Sequence, residues 1–238
     1  MYFIFDVDGT LTPSRGKMDH EFKLWFLNFI KQNPVALVTG SDLQKTLEQL
    51  GEDIVHSVEY SFNCSGNAIY KQGKLIYQSA WSCPSDLKEY LEEVLSNSKY
   101  TFRYGNHLEN RIGMLNFSVV GRGAIGAQRD HYYHWDLQHQ ERASICKYIN
   151  STWDNVQAVV GGETGIDIFE KGCDKSQVLK YITDTDIHFF GDRMDVVGND
   201  WPLGKVIIDK KLGSIYNIKN WEDTQRNLKF MESVGILN

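Results

Sequence analysis

The sequence predicts an α/β protein with a doubly wound, Rossmann-like core interrupted by an inserted α+β unit. Three observations point there. The chain opens on an apolar run that ends in Asp6-Val7-Asp8-Gly9-Thr10. Short apolar runs then alternate with amphipathic stretches of helical spacing, the pattern of a strand–helix–strand series. From about residue 81 to 170 the texture changes to helices and short antiparallel-type strands, after which the alternation resumes. The expected division is a core of residues 1–80 and 171–238 and a cap of residues 81–170.

The elements follow in order. Met18, Phe22, Trp25, Phe26, Phe29 and Ile30 recur at helical spacing behind Asp19, a residue type suited to capping. Pro34 leads into Val35-Ala36-Leu37-Val38, a continuous apolar run that suits a parallel strand buried on both faces. A helix over residues 42–50 stops at Gly51. Residues 63–67 are turn-like, and residues 69–77, broken by Lys71-Gln72-Gly73-Lys74, read as a hairpin. Pro84 and Ser85 start an amphipathic helix with Leu87, Tyr90, Leu91, Val94 and Leu95 on one face. The cap continues with a strand at 114–120, a helix at 141–150 and strands at 156–160 and 166–169. The core resumes with a helix at 174–182, a strand at 187–190 ending on Gly191-Asp192, and a strand at 206–209.

At 238 residues and 42% hydrophobic content the chain can bury a substantial core. Its net charge of -6 argues against a nucleic-acid or anionic-membrane partner, which would call for a basic excess. Cys64, Cys83, Cys146 and Cys173 are scattered and form no C-x-x-C pair, so neither zinc nor a disulfide framework is signalled. No basic leader with a long apolar stretch opens the sequence and no segment has membrane-spanning length, so cytoplasmic residence is the expectation.

The chemistry begins at the first strand. Asp6 and Asp8 alternate with Phe5 and Val7, so a strand projects both carboxylates to one side at its carboxyl end. Such a pair repels unless a cation or shared proton relieves it. Mg²⁺ suits, because it takes few protein oxygens and leaves positions for water and phosphate, and a carboxylate is an accepted nucleophile toward phosphorus. Thr39-Gly40-Ser41 ends a strand and opens a helix, where free N–H groups favour a phosphate. Lys175 stands at a helix amino terminus, where the dipole disfavours a cation unless an anion lies nearby. Phe189-Phe190-Gly191-Asp192 and Gly198-Asn199-Asp200 add carboxylates at another strand end. Each motif alone has an ordinary reading as turn, cap or solvated lysine. Their order and common placement at strand ends single them out.

That motif order resembles the haloacid dehalogenase-like phosphotransferase superfamily. Phe5 to Thr12 with Arg15, Gly40-Ser41-Asp42, Glu48-Gln49-Leu50-Gly51, Arg111 to Asn116, Gly121-Arg122, Gly161-Gly162, Asp167-Ile168-Phe169, Asp174-Lys175 and Gly198-Asn199-Asp200 are similar to the eukaryotic-type phosphomannomutases, from residue 1 to about 200. The resemblance implies Asp6 as nucleophile and Asp8 as general acid/base. It implies Mg²⁺ held by Asp6, the backbone carbonyl of Asp8 and Asp192, with Asp200 supporting them. Ser41 and Lys175 would steady the phosphate at Asp6. Arg111, Arg122 and Arg129, with Arg15, would grip the distal phosphate, and Asp167 a sugar hydroxyl. The parity of Asn116, Ser118 and Arg122 along residues 114–122 would set them on one strand face.

The implied activity interconverts mannose 6-phosphate and mannose 1-phosphate, and possible glucose phosphates, through an aspartyl-phosphate and a hexose 1,6-bisphosphate that also serves as activator. A homodimer through the cap is implied as well. The alternatives are a sugar-phosphate phosphatase, with water as acceptor, and a non-catalytic sugar-phosphate sensor, against which the complete set of Asp6, Asp8, Lys175 and Asp192 speaks. Two departures stand out. Thr39 replaces a glycine of the family, so Thr39 or Ser41 is the phosphate-binding hydroxyl, and Gly165 replaces a substrate-contacting serine.

Overall fold

The computed structural model describes residues 1–237. In chain order the first part comprises β1 (Tyr2–Phe5), α1 (His20–Gln32), β2 (Val35–Val38), α2 (Leu43–Leu50), α3 (Glu52–Ser57), β3 (Tyr60–Asn63), β4 (Ala68–Lys71) and β5 (Lys74–Gln78). The middle part holds α4 (Ser85–Asn97), β6 (Leu108–Arg111), β7 (Met114–Phe117), α5 (Ala127–His139), α6 (Glu141–Thr152), β8 (Val156–Gly161) and β9 (Gly165–Glu170). The last part has a 3₁₀ stretch (Lys175–Lys180), β10 (Ile187–Gly191), α7 (Trp201–Asp209), β11 (Gly213–Asn217) and α8 (Trp221–Ser233).

The strands form two sheets. A seven-stranded sheet runs β11-β10-β1-β2-β3-β4-β5, parallel through β3 and closed by the antiparallel β4–β5 hairpin. A four-stranded antiparallel sheet, β6-β7-β9-β8, belongs to the inserted segment. Every residue of β1 is buried because both sheet faces are covered. Phe3 and Phe5 pack against Phe22, Phe26 and Phe29 of α1 and Leu228 and Met231 of α8, whereas Ile4 faces Val178, Leu203 and Ile207. Each such phenylalanine contributes about 1.5–3 kcal/mol by burial. Asp19 caps α1 by accepting from the Phe22 N–H at 2.9 Å, and Asp42 caps α2 in the same way through Lys45. A small cluster of Cys64, Ala68, Met114 and Phe169 joins the hairpin side of the large sheet to the inserted sheet.

Several expectations are corrected. Residues 206–209 form the end of α7, not a strand, because Leu203, Gly204 and Ile207 bury one helical face. The outer parallel strand is β11, an exposed edge whose sequence lacks an apolar run. The helix expected at 174–182 is a short 3₁₀ stretch. The strand at 114–120 leaves its ladder after Phe117, and the Ser118 N–H bonds the His107 carbonyl instead. Ser118 is buried with its hydroxyl donating to the Thr164 carbonyl at 3.0 Å, and it does not line the cavity that Asn116 and Arg122 line. Beyond the elements expected from the sequence, the structure adds α3, β3, β6, α5 and α8.

Candidate active site

The site lies where the chain reverses direction across the large sheet. From β1 the strand order proceeds one way through β2 and β3 and the other way through β10 and β11, which opens a crevice beyond the carboxyl ends of the strands. Asp6 and Asp8 follow β1, Thr39 to Ser41 follow β2, and Asp192 follows β10. The β7–β9 surface of the inserted sheet faces this crevice across a cavity of about 330 Å³, a size suited to a small ligand. Asp6, Asp8, Arg15, Thr39, Ser41, Arg111, Arg122, Arg129, Asp167 and Asp192 all line it. Lys175 does not line it. It lies fully buried beneath Asp6, donating to Asp6 Oδ1 and Asp200 Oδ1 at 2.6 Å each. The anion that its position called for is thus a pair of protein carboxylates.

Carboxylate oxygens of Asp6, Asp192 and Asp200 lie within 4.8 Å of one another. Burial pushes the Asp6 carboxyl well above the usual carboxylate range; Lys175 opposes the rise, and the charges of Asp200 and Asp192 add to it. Asp192 is pushed up to about 7 by burial and by Asp200, against the pull of Lys175 and Arg193. Burial alone would lower Lys175, yet Asp200 and Asp6 raise it. One buried lysine leaves negative charge uncompensated, and these hard oxygen donors fit Mg²⁺. Gly9 permits the approach, since a Cβ there, at φ +81°, would stand 2.5 Å from Asp192 Oδ2.

Asp8 sits at the rim, its Oδ1 accepting from the Arg15 N–H at 2.5 Å and the Gln49 amide at 2.9 Å, with the Ser41 hydroxyl 3.4 Å from Oδ2. Thr39 Oγ1 accepts from the Ser41 N–H at 3.1 Å. Both hydroxyls therefore reach the cavity, and each already has a protein partner.

The opposite wall is cationic. Glu109 holds Arg111 Nε at 2.6 Å and Arg122 Nε at 2.7 Å, and Glu163 grips Arg129 at 2.8 Å. Burial and the neighbouring Arg122 and Arg129 hold the Arg15 guanidinium below its ordinary range, and burial with Arg111 does the same to Arg122. Crowded guanidinium groups of this kind favour an anion, which their planar forks bind bidentately. Asn116 donates to Asp167 Oδ1 at 2.7 Å. The two halves touch directly: Arg111 Nη1 donates to the Gly40 carbonyl at 2.5 Å and Arg15 Nη1 to the Arg122 carbonyl at 3.3 Å.

Sequence reasoning assigned no roles to Gln49, Glu109, Glu163 or Arg193. A signal existed for two of them. Gln49 shares the buried face of α2 with Thr46 and Leu50, and a glutamine there needs a polar partner. Glu109 stands two residues from Arg111 on one strand, hence on the same face. Glu163 and Arg193 act across long sequence separations, 34 residues to Arg129 and 31 to Gly162.

Fold and site together define an α/β phosphotransferase of the haloacid dehalogenase type. Among solved structures, an IMP-bound, N-terminally truncated IMP-nucleotidase of Plasmodium falciparum superposes with a TM-score of 0.64 at 14% identity, covering 98% of this chain and 68% of that one. A haloacid dehalogenase-like hydrolase from Bacteroides thetaiotaomicron does so with a TM-score of 0.59 at 13% identity, covering 98% and 100%. At such identities the likeness speaks for the fold alone.

The sequence is more specific. Residues 23–233 match the eukaryotic phosphomannomutase family. A phosphomannomutase of Saccharomyces cerevisiae is 30% identical, covering 94% of this chain and 91% of that protein, and one of Galdieria sulphuraria is 35% identical, covering 84% and 83%. The chain belongs to the eukaryotic phosphomannomutase family.

Proposed function

We propose that this enzyme interconverts mannose 6-phosphate and mannose 1-phosphate, accepting glucose phosphates as well, with a hexose 1,6-bisphosphate as intermediate and activator. The core would comprise residues 1–80 and 171–238 and the cap residues 81–170. One observation carries the reading: a cluster of arginines faces Asp6 across a single cavity. A hexose phosphate fits that polarity, with one phosphate among Arg15, Arg111, Arg122 and Arg129 and the other end at Asp6.

Asp6 attacks phosphorus of the activating bisphosphate, the bond from phosphorus to the sugar oxygen breaks, that oxygen takes a proton from Asp8 and leaves in a hexose monophosphate, and Asp6 carries the phosphoryl group. Lys175, already in contact with Asp6 and Asp200, steadies the charge of the phosphorylated side chain, and the hydroxyl of Thr39 or Ser41 binds its oxygens. Asp6, the Asp8 carbonyl and Asp192 would hold Mg²⁺, with Asp200 behind them, and the bound ion would neutralise charge on the transferred group. The sugar hydroxyl loses its proton to Asp8 as phosphorus transfers, and Asp167 with Asn116 holds another hydroxyl. The bisphosphate then turns end for end and returns its other phosphate to Asp6. Because the charged groups are preorganised away from bulk water, positioning and electrostatics supply most of the acceleration.

The four cysteines are free, which suits a reducing cytoplasm. Among the described residues no helix is long and apolar enough to cross a membrane. A homodimer through the cap is part of the same proposal. The test is a coupled assay of mannose 1-phosphate and glucose 1-phosphate with the bisphosphate present. Isomerisation of either sugar is the expected result, and phosphate release matching isomerisation would sink the mutase reading.

A further inference from the structure

Arg193 joins the two sides of the site without facing the substrate cavity. Its backbone N–H donates to Asp200 Oδ2 at 3.0 Å, and its carbonyl accepts from the Asp200 N–H at 3.2 Å, so its position is tied to the carboxylate cluster. Its side chain crosses to the cap, where Nη1 donates to the Gly162 carbonyl at 2.7 Å. Asp195 fixes the guanidinium through Nε at 3.0 Å. A few residues on, the Val197 carbonyl accepts from the Val160 N–H at 3.0 Å, so β8 continues onto the core loop.

The cap end of this contact is equally defined. Gly162 also accepts from Arg142 at 2.9 Å, and Arg142 is locked to Asp136 at 2.7 Å in a buried pair. Glu163, the next residue, holds Arg129. One short turn therefore links a loop that carries Asp192 and Asp200 to an arginine of the anion wall. The cross-contacts from Arg111 and Arg15, by contrast, use guanidinium groups that line the cavity and must be shared with a bound phosphate. Arg193 does not line the arginine-rich cavity and borders a neighbouring one of about 280 Å³, beside Tyr133 and Trp221, so a phosphate among the cavity arginines would not compete for its bond to the cap.

We propose that Arg193 is a positioning residue that keeps the cap shut over the phosphorylated Asp6 and thereby sets how much of the phosphoryl group is lost to water. The inference rests on the mutase reading. In the loss reaction a water oxygen forms the new bond to phosphorus, the bond from Asp6 to phosphorus breaks, and hydrogen phosphate and a proton leave. Exclusion of water by closure is what suppresses this step.

The experiment measures isomerised sugar phosphate and free inorganic phosphate in one reaction, with mannose 1-phosphate and hexose 1,6-bisphosphate, for wild type, Arg193→Ala, Arg193→Lys and Asp195→Ala. Arg193→Ala is expected to release at least roughly tenfold more phosphate per isomerised sugar, the scale of one lost charged hydrogen bond. KM for the sugar phosphate should change little, and Arg193→Lys should restore much of the partition. Hydrogen exchange at the Val160 amide should quicken in Arg193→Ala. Asp195→Ala, altered at an exposed carboxylate, should move the partition in the same direction and carries the test if Arg193→Ala does not fold. An unchanged partition in the folded variants, or a loss confined to KM, overturns the inference. A wild type that releases phosphate as fast as it isomerises overturns the mutase reading and this inference with it.

Discussion

At the scale of single residues, Asp6 and the arginines take different parts in the proposed reaction, and substitution separates them. Asp6→Asn removes the nucleophile and one of the metal-side carboxylates, so turnover in the coupled assay should fall to background. Near-normal turnover would rule out a covalent route. Arg122→Ala removes a guanidinium that Glu109 orients toward the cavity. Losing a charged hydrogen bond of about 1.5–3 kcal/mol should raise KM roughly 10- to 150-fold while leaving a measurable kcat. Asp6 and Asp8 stood out because a strand end, two carboxylates and a glycine fall in one short string, whereas the arginines stood out only through the family resemblance. The carboxylates that aim the arginines were not legible, since Glu163 meets Arg129 only after the chain has folded back.

At the scale of elements, the legible parts were those whose burial is continuous. β1, β2 and β10 are buried along their whole length and read as apolar runs. β11 lies at a sheet edge with largely exposed residues and gave no such run, and α5 buries only Tyr132 and Asp136. Residues 206–209 misled for the opposite reason, because an apolar run at a helix end resembles a strand until its flanks are included. The loop after β1 carries the sharpest conformational demand. Gly9→Ala combines a strained positive φ with a Cβ directed at Asp192 Oδ2. Titration of activity with Mg²⁺ should show a weaker apparent affinity for this variant, with secondary structure by circular dichroism unchanged. An unaltered Mg²⁺ dependence would mean that the loop does not set the carboxylate spacing.

At the scale of the whole molecule, the site's charge is coupled to stability. The Asp6 and Asp192 carboxyls titrate higher folded than unfolded, Asp192 near 7, whereas an unfolded aspartate titrates near about 3.9. Folding therefore takes up protons between those values, and the metal-free protein loses stability as pH rises from about 4 through about 7. A cation that binds the ionised cluster offsets that loss. The Tm gained on adding Mg²⁺ should accordingly be larger at pH 8 than at pH 5.5; an equal gain at both would contradict the carboxylate cluster as the binding site. The second, antiparallel sheet falls in the stretch where the texture of the sequence changes, but the contacts that join it to the large sheet were not legible. They run through backbone carbonyls of Gly40, Arg122 and Gly162, groups that every sequence possesses and that only the fold selects.

The central claim is that one phosphoryl group visits Asp6 and returns to sugar. Rapid quenching after mixing enzyme with hexose 1,6-bisphosphate labelled in phosphorus, followed by a chase with unlabelled mannose 1-phosphate, tests it most directly. The expected result is label on the peptide that contains Asp6, passing on the chase into hexose phosphate. Protein that never carries label, or label that passes only into inorganic phosphate, would contradict the account.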